Sequence, residues 1–548
     1  MIKLTVSILV FFTLIPSFGE TPPKEIKHKF IAVDNLSRHV FLIDQFDKSN
    51  NWKVDVPPQP RDLFIINNSK FMISYSKGYQ IRSMQNGELI HNFSGASNVQ
   101  SAQIINEKTL LASNTEEGIK LSFYGKDDTF EKEVVLHGYR NVRLVRKQGK
   151  SFYLSGSKEK KFFLLELNSK LEIKKTIPLN GKGYLFLKNI KGNILLSNGA
   201  KCEILEINED GKTIKTYGGK SNFTELKLNW FSGFQVSENG LIAANWLGHG
   251  KKGTSSHLYE FNEQNEVVWR WEDHDKANAI TNFVLLDNFF EVNNILNSKI
   301  KEKSLSPLTG GLGRFDMKRA YHIHDQFLTE RMNYLSENAY LAGYKIAYAS
   351  KASQERWGMT EPVYGGFLNT QLLDQSSKID FDKYIQFHIE TEVAVHINKD
   401  IEEEIMSMDD LKGYIDTIYL SFDIPDNIFD SKTYPEDIAA SASGAKYFVL
   451  GKGIAVNESH FKTNSFTIRQ TFNEELVYEG PSNSVMGHPF NSVLWLSKKL
   501  QERGQFLKEG QIIVTGAVSK AFVPSKKQKK GKHTGMANGF NPVIIYTK

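Results

Sequence analysis

Two glutamates stand two residues apart, Glu390 and Glu392, inside the run "KYIQFHIETEVAVHINKD" (383–400). The alternation of apolar residues around them predicts a strand, and residues i and i+2 of a strand project to the same side. Two carboxylates on one side are costly to bury unpaired. As hard oxygen donors they suit a divalent cation such as Mg2+ or Mn2+. The spacing leaves a second reading open, a solvent-facing strand whose acids meet nearby lysines. Other reactive side chains are placed less well for chemistry. His322 and His324, in "YHIHD", fall on different faces of a predicted helix, which is wrong for sharing one ion. Cys202, the only cysteine, alternates with apolar residues in "KCEILEI" and reads as a small buried hydrophobe. The run "SKKQKKGKH" (525–533) reads as a solvated loop, with attraction for an anion as the alternative.

The elements that must position these residues belong to a long chain. Its 548 residues imply two or more domains, and 40% hydrophobic with 24% charged residues is ordinary globular composition. A formal charge of +6 over that length is too weak for a nucleic-acid binder. "MIKLTVSILVFFTLIPSFGE" combines an early lysine, an apolar run and small residues at Ser17 and Gly19. That pattern predicts a secretory signal over 1–19, and hence a periplasmic or extracellular protein. The apolar run is short for a membrane span. With a single cysteine there is no internal disulfide, so the domains must hold by core packing.

Residues 28–292 contain a repeat. Alternating strands recur about every forty residues, at "HVFLID", "GYQIRS", "GIKLSF", "KFFLLEL", "KCEILEI" and, after a longer step, "SHLYEF". Strand pairs around polar turns fill the gaps. Short strands at this period, without helix, predict an all-β propeller of about six blades. "ITNFVLLDN" (280–288) is a candidate closing strand for the first blade. No loop here offers a catalytic set, so the propeller reads as a scaffold, or a dock for a protein or glycan. Helical character first appears near 290–300, and a linker is expected over 293–313. Beyond it the pattern changes to an amphipathic helix at 316–335, another at 491–504, and a buried strand at 510–517. Residues 314–548 therefore read as a separate α+β domain.

This second domain resembles the fumarylacetoacetate hydrolase family, in its branch of 2-oxopent-4-enoate (2-hydroxypentadienoate) hydratases and oxalocrotonate decarboxylases. The pieces that carry the resemblance occur in family order: "GYKIAYASKASQERWG", "EPVYGGFL", "HIETEVAVHINKDI", "LSFDIPDNIFD", "AASASGAKYFVLG", "VMGHPFNSVLWLSKKL" and "GQIIVTGAV". It implies a mixed β-roll fold and a homo-oligomer formed through this domain. It also implies a metal site in which Glu390 and Glu392 are joined by Asp423, thirty-one residues after Glu392. Mg2+ or Mn2+ held there would bind a small 2-oxo acid and stabilise the enolate that forms as protons move. Lys345 matches a lysine of the family's substrate site; beside a cation, its amine is expected to be neutral and to act as a base. Ser443, His488 and Thr515 match segments near the substrate. The implied activity is a hydro-lyase, with acylpyruvate hydrolysis or decarboxylation, or a non-catalytic sensor, as alternatives. The sequence departs from the family at Val363, where an acid is usual, and at Ala347 and Ala349, where the lysine is usually followed by Gly and Thr.

Overall fold

Alternating apolar residues fold the first half of the chain into short antiparallel strands. The computed structural model describes residues 25–548 except 106, 150, 189–192, 209, 311–315, 336–337, 463–464, 526–527 and 529, so the expected signal at 1–19 lies outside the described residues. Between Lys29 and Leu285 the strands form four-stranded antiparallel sheets, six of them among the described residues. The strands read from the sequence are the third strand of each sheet: His39–Asp44, Gly78–Ser83, Gly118–Tyr124, Lys161–Leu167, Glu203–Ile207 and Leu258–Asn262. A four-stranded sheet cannot cover its own faces, so neighbouring sheets stack. Phe30, Phe41 and Phe283 of one sheet pack with Ile242, Ala244, Trp269 and Trp271 of the preceding one. Ile280–Leu285 pairs antiparallel with Lys29–Asp34, so the last strand completes the sheet that the first strand began. The half is all-β and propeller-like. Cys202 is fully buried, and burial pushes its thiol up to about 12, in keeping with an inert packed residue.

A helix α1 (Phe289–Lys301) follows three residues after the closing strand and occupies the start of the segment expected as linker. Its Phe289 and Phe290 pack on the propeller-like half beside Ile31, Val40 and Phe71. Val292 and Ile295, one turn on, belong to the core of the second half. The rest of the segment is tied down as well. The backbone N–H of Leu305 donates to Ile428 at 2.8 Å, and the N–H and hydroxyl of Thr309 both donate to Asp437 at 2.9 Å.

Helix α2 (Met317–Leu335) opens the second half. The elements that matter after it are β1 (Leu341–Ala347), α3 (Lys351–Trp357), β2 (Val363–Leu368), β3 (Leu372–Leu373), β4 (Glu390–Ile397), β5 (Ile415–Ile424), β6 (Tyr447–Leu450), α4 (Pro489–Gln501) and β7 (Ile512–Ala517). The main sheet runs β2-β1-β7-β4-β5-β6-β3, with the short strand Ile454–Ala455 also on β5. β1 and β7 are parallel; β7, β4, β5 and β6 are successively antiparallel. A five-stranded sheet that includes Thr467–Phe472 and Gly531–Ala537 packs nearby. One face of β4 and β5, with Val393, Val395, Leu420 and Phe422, lies in the core. Helix α2 covers the free edge at β2. Tyr321 Oη accepts the Tyr364 N–H at 3.1 Å, and His324 Nε2 accepts the Gly366 N–H at 2.8 Å. No helix among the described residues is long and apolar enough to cross a membrane.

Candidate metal centre

Period-two geometry leaves Glu390 and Glu392 on the face of β4 opposite Val393 and Val395. The β4–β5 register sets Glu390 directly across from Asp423, and antiparallel partners share a face. One carboxylate oxygen from each of Glu390, Glu392 and Asp423 lies within 4.8 Å of the other two. Glu392 and Asp423 are almost wholly buried, so the solvent-facing reading of the Glu pair is excluded. Lys345, on β1, reaches over the curled sheet to form an ion pair with Asp423. From β7, the Gly516 N–H donates to Glu392 Oε2 at 2.6 Å.

Two glycines make this geometry possible. Gly516 has φ +117°, and a Cβ there would lie 2.4 Å from the Cβ of Ala349; only glycine lets the amide turn toward Glu392. Gly365 is the register partner of Lys345. A Cβ at that position would lie 2.2 Å from the Ala442 carbonyl oxygen, so its absence admits the segment Ala442–Gly444 beside the lysine. That segment is left-handed throughout, with φ of 57°, 51° and 71°. Ser443 is 5% exposed, and its hydroxyl has no hydrogen-bond partner.

The charges do not balance within the protein. Three carboxylates face one ammonium, and burial pushes all three acids upward. Asp423 rises to about 6, with Lys345 opposing the rise. Glu392 rises well above the usual range through burial and then through repulsion by Asp423 and Glu390. Glu390 rises by burial against the pull of Lys345. An excess of two negative charges on hard oxygen donors, in a buried pocket, fits a divalent cation. Burial alone would lower Lys345, but Asp423, Glu390 and Glu392 outweigh it, so without a cation the surrounding acids favour its charged form.

The remaining expected residues are placed as follows. Thr515 is fully buried, and its hydroxyl donates to the Val393 carbonyl at 3.0 Å, tying β7 to β4. His488 caps α4: its Nδ1 accepts the Phe490 N–H at 3.1 Å, and its Nε2 lies 3.0 Å from the His460 carbonyl. It lines a small cavity with Val393 and Ile418, residues of the sheet face opposite the carboxylates. Ser443 lies beside Lys345. Val363, paired with Ala347, is on the Lys345 face, apolar and 1% exposed. His324 is engaged by Gly366 and Asp325. The run 525–533 lies partly outside the described residues. Sequence reasoning missed Gly516 as an amide donor; its place directly after Thr515 in "VTGA" was the signal available.

Residues 348–535 match the model of the fumarylacetoacetate (FAA) hydrolase C-terminal family. Lys345 stands just outside the match, while the three carboxylates lie within it. Among curated proteins, 2-keto-4-pentenoate hydratase 1 of Dechloromonas aromatica is 26% identical over 218 residues, 39% of this chain and 81% of that protein. The 2-oxo-hept-4-ene-1,7-dioate hydratase of Escherichia coli is 28% identical over 201 residues, 35% of this chain and 74% of that protein. Among solved structures, 4-oxalocrotonate decarboxylase from Pseudomonas putida G7, complexed with magnesium and adipate, is 21% identical, covers 46% of this chain and 94% of its own, and has a TM-score of 0.43.

Proposed function

We propose, from the premise that residues 348–535 form a fumarylacetoacetate hydrolase C-terminal domain, that the second half is a divalent-metal-dependent lyase acting on a small 2-oxo acid such as 2-hydroxypentadienoate. The observation that carries the reading is the buried triad of Glu390, Glu392 and Asp423. Mg2+ or Mn2+ held by these three would supply Lewis-acid charge to the carboxylate and 2-oxo oxygens of such an acid. The Gly516 amide fixes the Glu392 carboxylate, so the donor set is oriented before any ligand arrives. The unpartnered Ser443 hydroxyl is a ready donor to a substrate carboxylate. The Lys345 ammonium faces the same space; once the carboxylates are drawn toward a cation, it is the group able to move a proton at the carbon that changes hybridisation.

Val363 favours a second reading. A hydrophobe where the resemblance leads one to expect an acid leaves one proton-transfer group fewer, and a binding or sensing protein would keep the metal without turnover. Acylpyruvate hydrolysis is the third outcome that the same donors allow. The full chain with Mg2+ or Mn2+, assayed against 2-hydroxypentadienoate, oxalocrotonate and acylpyruvates beside Glu392→Ala, separates them. Turnover lost in the variant supports the lyase or hydrolase by product. Metal binding without turnover supports the sensor, and no metal binding removes the site. We further propose export, a propeller that docks a protein or glycan, and a homo-oligomer built through the second half. Cell fractionation and sedimentation of the purified chain test the first and last.

A further inference from the structure

In the propeller-like half, His257 is the one histidine among the described residues whose two ring nitrogens are both buried without a hydrogen-bond partner. The residue is 0% exposed. A buried imidazole that uses neither its donor nor its acceptor costs free energy, and such a group calls for an explanation. Loose placement does not supply one, because its backbone is held on both sides. The His257 N–H donates to the Trp271 carbonyl at 2.9 Å, and the His257 carbonyl accepts the Asn245 N–H at 2.8 Å.

The His274 ring lies beside it, with ring centres 4.8 Å apart at 64°. His274 Nδ1 is also buried and has no partner among the described residues, while its Nε2 lies 3.3 Å from Glu272 Oε1. A carboxylate at Nε2 keeps the proton there and leaves Nδ1 free to accept, as at a histidine that ligates a metal. Glu272 is itself fixed: its Oε2 accepts the hydroxyl of Ser256, the residue before His257, at 2.8 Å. The turn that carries His274 is closed by the Ala277 N–H, which donates to the Asp273 carbonyl at 2.9 Å. Two imidazoles sharing one tetrahedral ion, each nitrogen about 2.0 Å from it, hold their ring centres about 5 Å apart. The spacing of His257 and His274 agrees with that arrangement.

We propose that His257 and His274 form a second metal site, for a borderline transition ion such as Zn2+, with Glu272 as the carboxylate that orients His274. Nitrogen donors do not suit Mg2+ or Mn2+, the ions that fit Glu390, Glu392 and Asp423, so the two sites divide by chemistry. They divide in space as well. Phe231–Val236, Gly240–Asn245, Leu258–Asn262 and Val267–Trp271 are successive strands of one antiparallel sheet. Its turns at 237–239 and 263–266 lie at one end, where Lys318 of α2 donates to Asn239 at 3.0 Å. His257 and the segment of His274 lie at the opposite end. The His274 and Glu272 side chains are 26% and 51% exposed, so an ion enters from solvent and water completes its shell. The turn that carries His274 leads into Ile280–Leu285, the strand that completes the first sheet, so a bound ion braces that closure.

The test is a calorimetric titration of Zn2+ into the full chain, with Mg2+ in excess to occupy the carboxylates. One tight equivalent is expected, both in the parent and in Glu392→Gln. His274→Ala should weaken it by about a hundredfold or more, and Glu272→Gln by about tenfold. Zn2+ should raise the melting temperature of the parent and leave that of His274→Ala unchanged. With Cu2+ as the probe, electron spin echo spectra should show two imidazole nitrogens in the parent and one in His257→Ala. If His257→Ala does not fold, the partly exposed His274→Ala reads the same loss of one nitrogen. Absence of a tight Zn2+ equivalent in the parent, or an affinity unchanged in His274→Ala, overturns the site. So does a Zn2+ equivalent lost in Glu392→Gln, which places the ion at the carboxylates.

Discussion

Glu392 accepts the Gly516 amide, lies 1% exposed and is pushed up by two neighbouring acids, so it is the least contented side chain of the site. Glu392→Gln keeps the shape and removes one of the mutually repelling charges. It should raise the melting temperature of the metal-free chain and weaken Mn2+ binding by about a hundredfold or more, beyond the loss typical of an outer-shell partner. Differential scanning calorimetry and a metal titration read the two effects. Gly516→Ala should do harm of another kind. Its Cβ would press on Ala349 in a disfavoured backbone region, which should cost about 2–4 kcal/mol of stability, measured by denaturant melts. The acids were legible in the sequence because spacing on a strand fixes the face, and the resemblance supplied Asp423. Gly516 and Gly365 were not, because a glycine's task depends on φ and on what approaches it.

Helix α2 shows what an element adds. Its three- and four-residue spacing predicted a helix at 316–335, and it spans Met317–Leu335. Its work as a cap on the β2 edge was hidden, since that depends on which strand ends the sheet. Tyr321 and His324 give acceptors to two amides that an edge strand would otherwise show to solvent or to another chain. His324→Ala should therefore cost about 1–3 kcal/mol by leaving the Gly366 amide buried and unpaired. Denaturant melts and exchange of that amide check it. The β4–β5 pairing is the complementary case: a strand with two acids on one side was predicted from alternation, and the directly opposed Glu390–Asp423 pair is what the register adds.

At the scale of the molecule, His28 joins distant parts of the propeller-like half. It is 2% exposed, with Nδ1 2.5 Å from Asp287 and Nε2 3.1 Å from Glu260. Burial alone would lower its pKa, but bonds to Asp287 and Glu260 outweigh that and raise it from 6.5 to about 9. A raised pKa stabilises the fold fully below the unfolded value of 6.5 and ceases to as pH climbs through about 9. The contribution is about 3 kcal/mol at most, so melting of the parent should fall between pH 6.5 and 9.5 more steeply than melting of His28→Gln. Helix α1 sets a second expectation. A fragment starting at 287 keeps Val292 and Ile295 in the core of the second half; one starting at 314 loses both and should be less stable by about 3–5 kcal/mol. The forty-residue period made the repeat visible from the sequence. Helical character near 290–300 was legible too; that the helix bridges two cores was not, because a local pattern does not say that its two ends belong to different cores.

The pairing of Ile280–Leu285 with Lys29–Asp34 also bears on order in time. A chain emerging from its amino end brings out residues 29–34 first, yet the sheet they start stays one strand short until residue 285 has emerged. Helix α1 begins only three residues after that strand. Completion of the earlier half and the first nucleating contacts of the later half are thus set to fall almost together. A chain ending just before residue 280 should leave the sheet begun by Lys29–Asp34 one strand short and open to proteases, whereas a chain ending just after 301 should leave it complete.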